Sequence, residues 1–125
     1  RQLVQAIKAA CPSAAITAVG TNSAATAAML RAGADHGATG EYPVICAAPQ
    51  ALYIVGPVGI GIPASLTGEV TPGIAEAVGR SPAEKILIPG EGCAIHIVGT
   101  TRCTLGEYAD RAVAKILELE AAKNG

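Results

Sequence analysis

The chain has no Phe and no Trp, and its aromatic content is three Tyr. Its core must therefore be assembled from Ala, Val, Ile and Leu, and it lacks the stacking platforms on which single-stranded nucleic acid is held. Charge is also scarce, at 15% of residues against roughly 25% in ordinary soluble domains. Nine Lys and Arg are balanced by ten Asp and Glu, with no basic cluster, which argues against a DNA or RNA partner. Half of the residues are hydrophobic, so the few charges cannot cover the surface, and we expect a homo-oligomer.

Further absences narrow the chemistry. The four cysteines, Cys11, Cys46, Cys93 and Cys103, are spaced neither as a disulfide framework nor as a zinc knuckle, so we expect reduced thiols, a cytoplasmic protein and no metal. No segment has the form of a secretory leader, and the uncharged run from Tyr42 to Gly68 is interrupted by Pro43, Pro49, Pro57 and Pro63, which rules it out as a membrane span. There is no G-x-x-x-x-G-K-[ST], no G-x-S-x-G and no H-E-x-x-H. Tyr42, Tyr53 and Tyr108 are followed four residues later by Cys46, Pro57 and Ala112, so the Tyr-x-x-x-Lys pair of short-chain dehydrogenases is missing too.

What is present reads as a single domain, residues 1–125, of alternating helices and strands. Leu3, Ile7 and Ala10 repeat at helical spacing until Cys11-Pro12 stops the run. Ala14 to Val19 reads as a buried strand, Ser23 to Ala32 as a helix closed by Gly33, and Ala34 to Gly40 as a tight loop. Glu41 to Ala48 reads as a short helix with Pro43 in its first turn, and Leu52 to Val55 as a strand. Thr71 caps a helix that runs from Pro72 to about Val78. Lys85 to Ile88 and Ile95 to Val98 are β-branched runs joined by so short a turn that an antiparallel hairpin is expected. Thr104 and Glu107 form a capping box for a last helix, with Leu105, Tyr108, Ala109, Ala112, Ile116 and Leu119 on one stripe. Because the first helix opens without a cap, and each helix of a parallel α/β sheet is fed by a strand, we expect a strand and turn ahead of Arg1.

The sharpest candidate site is the turn Gly56-Pro57-Val58-Gly59-Ile60-Gly61, which leaves an apolar strand. Glycines there would let backbone amides approach a phosphate or ribose, and Thr71 would add a helix N-terminus with its positive dipole end. The same glycines equally suit a tight turn stiffened by Pro57 and Pro63. Ser65, Thr67 and Glu69 stand beside it as polar partners for a sugar. Thr21, Asn22 and Ser23 follow the first visible strand and could hold a ribose or phosphate, or could simply cap the next helix. An NAD-binding fold usually carries Asp or Glu at that point, and this chain has Gly20-Thr21-Asn22. Cys93 and His96, three apart on a turn, could act as nucleophile and base, or be an inert thiol beside a strand His.

The stretches Ala18-Val19-Gly20-Thr21-Asn22-Ser23, Met29 to Asp35, Gly37 to Glu41, Gly56 to Ile60, Gly68 to Pro72, Lys85 to Pro89, and Cys93 to Gly99 together resemble an uncharacterised bacterial family, domain of unknown function 3842. The resemblance covers nearly the whole chain. It implies a Rossmann-like three-layer sandwich around a mostly parallel sheet, with a strand and a glycine-rich turn just ahead of the first helix, and no assigned activity. The function expected from these readings is binding of a nucleotide or dinucleotide, such as NAD(P), through Thr21, Asn22, Ser23, Gly56, Pro57, Gly59, Gly61 and Thr71. A small oxidoreductase or transferase using Cys93 or Glu69, and a regulatory or scaffolding subunit without catalysis, are the two alternatives.

Overall fold

The structure is a computed structural model that describes residues 1–90 and 94–124. Among these residues five helices alternate with short strands: α1 (Gln2–Ala10), β1 (Thr17–Gly20), α2 (Ser23–Arg31), β2 (His36–Thr39), α3 (Glu41–Ala47), β3 (Tyr53–Pro57), α4 (Pro72–Arg80), β4 (Glu84–Ile88) and α5 (Leu105–Asn124). Single 3-10 turns follow α3 at Ala48–Gln50 and β3 at Val58–Gly61.

The strands form two parallel pairs. β1 lies beside β2 with Thr17 opposite His36 and Gly20 opposite Thr39, and β3 lies beside β4 with Tyr53 opposite Glu84 and Pro57 opposite Ile88. Among the described residues no strand adjoins the far edge of β1 or of β3. The chain is thus a mixed α/β fold whose parallel strands stand in two small sheets.

β1 is shorter than its apolar run because the residues before Thr17 bond elsewhere. The Ala14 carbonyl accepts from Lys8 Nζ at 2.9 Å, and the Ile16 amide donates to Asp35 Oδ2 at 2.8 Å. Segment 36–39, expected to be loop, is a strand instead. Its Gly and Ala content gives it weak strand propensity, but Gly37 lets the Leu30 side chain of α2 settle on it, where a Cβ would come within 2.8 Å of Leu30 Cγ. The expected C-terminal hairpin does not form among the described residues: β4 pairs with β3 in parallel, and no strand is present at 95–98, where Ile97 and Val98 are exposed. β-branched residues favour a strand only where an edge and a covered face await them.

Two clusters hold the fold. Ile86 and Ile88 of β4 pack with Ala112 and Ile116 of α5, flanked by Leu3 and Ile7 of α1 and by Tyr53 and Val55 of β3. Val70, Ile74 and Ala75 pack with Val44 of α3. Each buried aliphatic side chain contributes roughly 1.5–3 kcal/mol, which is how an aromatic-poor core suffices. The capping box forms as the spacing predicts, with the Glu107 amide donating to Thr104 Oγ1 at 3.2 Å and the Thr104 amide to Glu107 Oε1 at 3.3 Å.

Candidate functional site

The loops that follow β1, β2 and β3 meet at one end of the molecule, and two side-chain bonds join them. Thr21, just after β1, donates its hydroxyl to Glu69 Oε2 at 3.0 Å. Thr71, at the start of α4, donates to Glu41 Oε1 at 2.6 Å, and Glu41 opens α3 just after β2. Both bonds join a segment that follows the β1–β2 pair to the segment that follows β3.

The binding candidates singled out in the sequence are all among the described residues. Asn22 is the N-cap of α2, its Oδ1 accepting from the Ala25 amide at 2.9 Å. Ser23 is exposed in the first turn of that helix. Behind them lies Thr26, which sequence reasoning missed. It is buried, with Oγ1 at 3.1 Å from the Ala38 carbonyl and 2.8 Å from Thr39 Oγ1, so it ties the end of β2 to the start of α2. Gly20 exists for this contact, since a Cβ would come within 2.4 Å of Thr26 Oγ1.

The glycine turn is more tightly packed than its composition suggests. Gly56 is buried, with Ile60 Cδ1 at 3.1 Å from where a Cβ would stand, and Gly59 is buried against Ser65, whose hydroxyl donates to the Gly59 carbonyl. Pro57 closes β3 and is half-buried. Gly61 is exposed with no atom within 4 Å of its Cβ direction, and it is the open backbone of the turn. Thr67 bonds locally, to the Leu66 carbonyl.

Thr71 has both its roles filled within the chain, since it also accepts from the Ile74 amide at 3.2 Å as the cap of α4. The carboxylate it holds, Glu41, occupies the electropositive start of α4, where a ligand anion would otherwise sit. Gly73 makes this possible, because a Cβ would fall within 2.0 Å of Glu41 Oε1. A glycine in the first turn of a well-marked helix was the one signal in the sequence for that docking.

Of the enzymatic candidates, His96 and Glu69 lie among the described residues. Cys93 lies outside the described residues, His96 is exposed on an irregular segment, and Glu69 is bonded to Thr21. Among the described residues, no three His, Cys, Asp or Glu side chains gather as a metal site.

Two titrating clusters lie away from this end. The Asp35 carboxyl is held below its usual range, first by the Ile16 amide and then by Lys8, whose Nζ stands 3.0 Å from Oδ2. At the amino end of β3, the Tyr53 hydroxyl donates to Glu120 Oε2 at 2.5 Å, and this bond pushes the phenol up. Lys123 stands 4.8 Å from the centre of the Tyr53 ring and is itself raised by its bond to the phenol oxygen. These contacts fasten α5 to β3. Two open hollows lie among the helices, one of about 340 Å³ between α1 and α5 lined by Gln5 and Asp110, one of about 200 Å³ lined by Arg1 and Arg31. Neither adjoins Thr21, Gly61 or Glu69.

The model of the family described as domain of unknown function 3842 matches residues 1–121. The chain belongs to this family. No curated protein and no solved structure matches it significantly. Family membership therefore brings a shared domain of unknown function, and no helix among the described residues is long and apolar enough to cross a membrane.

Proposed function

We propose that this member of the family binds a nucleotide or dinucleotide, and that its two parallel pairs are halves of one Rossmann-like sheet in a three-layer sandwich. In this reading a strand ahead of Arg1 lies between β1 and β3, along the two edges that no strand covers among the described residues, and its glycine-rich turn takes the phosphates. The observation that carries the reading is the pairing of Thr21 with Glu69 and of Thr71 with Glu41, which puts the carboxyl ends of both pairs beside one another. Ligands of open parallel sheets bind at such a point. The groups available suit a sugar better than a phosphate. Glu69 and Thr21 are a carboxylate and a hydroxyl that can accept from and donate to ribose hydroxyls, and Gly61 and Ser23 flank them. Gly56, Pro57 and Gly59 act by shaping the turn, and Asn22 and Thr71 by capping helices.

Calorimetry of the natural-length polypeptide with NAD, NADP, FAD and ATP tests this. Saturable heat from at least one is expected, and silence from all at millimolar concentration overturns the reading. A homo-oligomer accompanies it, because Val98, Tyr42 and Leu52 stand 97%, 75% and 69% exposed in the single chain. Sedimentation velocity at micromolar concentration should show a species larger than one chain; a monomer contradicts it.

A further inference from the structure

We infer that residues 62–69 form a strap over the strand ends, closed by the hydrogen bond from Thr21 to Glu69; this rests on the ligand space proposed above. Ala64, Leu66 and Thr67 have φ of 66°, 54° and 55°, and Gly68 follows at 86°. Three non-glycine residues in the left-handed region within four positions are strained, and such conformations persist only where their surroundings impose them. The strap's feet are firmly held. Val70 is 1% exposed, the Ala64 amide donates to its carbonyl at 2.7 Å, and its own amide donates to the Ser65 carbonyl at 3.2 Å.

The outer part is held differently. Ile62, Leu66, Thr67, Gly68 and Glu69 are all exposed, and Leu66 presents 43% of its surface to solvent, so burial does not fix this arc. The bond from Thr21 ties it to the opposite strand pair across the crevice. Opening the strap separates a hydroxyl donor from a carboxylate acceptor on the two walls of that space. A ligand carrying vicinal hydroxyls, as ribose does, replaces the lost bond on both sides, giving to Glu69 and accepting from Thr21. The latch thus selects for a diol, and exchanges one hydrogen bond for two.

Amide hydrogen exchange on the unliganded protein tests the latch. Once the latch is released nothing outside the strap holds its strained arc, which then unfolds locally; the Gly68 amide, bonded to the Ala64 carbonyl, and the Glu69 amide, bonded to the Leu66 carbonyl, report that unfolding, and the amides of β4 serve as the internal reference. Thr21→Val and Glu69→Ala, which break the bond from opposite walls, should each speed strap exchange relative to β4 by roughly three- to tenfold, with Thr21→Ser close to wild type. An unchanged ratio of strap to β4 exchange in both disrupting variants overturns the inference. Silence from every nucleotide in calorimetry would sink the binding proposal instead, and the exchange result would still decide the strap.

Discussion

Gly20 shows how much a single hydrogen atom in place of a methyl can decide. Its absent Cβ leaves room for the Thr26 hydroxyl at 2.4 Å and for the Thr26 amide nitrogen at 2.8 Å, and a backbone atom cannot swing aside as a long side chain can. Gly20→Ala should lower stability by about 1–3 kcal/mol in denaturant unfolding, the range of an overpacked core position. Thr67 has the opposite problem, since its φ of 55° suits glycine. Thr67→Gly should raise stability by roughly 0.5–1 kcal/mol, because relief of the left-handed strain outweighs the greater freedom of glycine in the unfolded chain. Asp35 makes a pH-dependent contribution. Its carboxyl lies below the ordinary 3.8 in the fold, so the unfolded chain binds the proton more readily. The stability this confers is present above pH 3.8 and is lost as pH falls through the folded value. Melting temperatures of wild type and Asp35→Asn should therefore differ at pH 7 and converge on acidification below pH 3.8.

At the scale of elements, the helices were legible in the sequence because their ends are written in side chains. Thr71 with Pro72, Asn22 with its helix, and the Thr104 and Glu107 box each stand where a cap should, and the helices begin there. Thr104→Ala should accordingly reduce stability by about 1 kcal/mol, read by thermal melting, with a loss of helical circular dichroism at the start of α5. Strands were less legible. β2, with the sequence His36-Gly37-Ala38-Thr39, has almost none of the β-branched character that marks a strand, and it pairs with β1 where Gly37 leaves room for Leu30 of α2. Residues 95–98 have that character and form no strand. Composition reports what a residue prefers, whereas pairing depends on which edges the rest of the chain leaves free. The candidate site was legible in the same partial way. Thr21 and Glu69 were visible as polar residues in turns 48 positions apart, but nothing in the sequence joined them, and for the docking of Glu41 at α4 Gly73 marked the place without naming the partner.

At the scale of the whole molecule, side chains bridge the segments that follow the two parallel strand pairs, and α1 touches both halves, with Leu3 and Ile7 against the cluster of β4 and α5 and Lys8 bound to Asp35 beside β1. The binding proposal places the ligand at the convergence of loops around Thr21, Gly61 and Glu69, and not in the hollows between helices. The most direct measurement is a nitrogen–proton NMR titration of the natural-length protein with NAD, NADP, FAD and ATP, following every backbone amide. The account predicts saturable shifts concentrated at Thr21, Asn22, Ser23, Gly61 and Glu69, with the amides lining the cleft of α1 and α5 unmoved. Saturable shifts confined to Gln2, Gln5 and Asp110, or no shifts with any of the four, would contradict it.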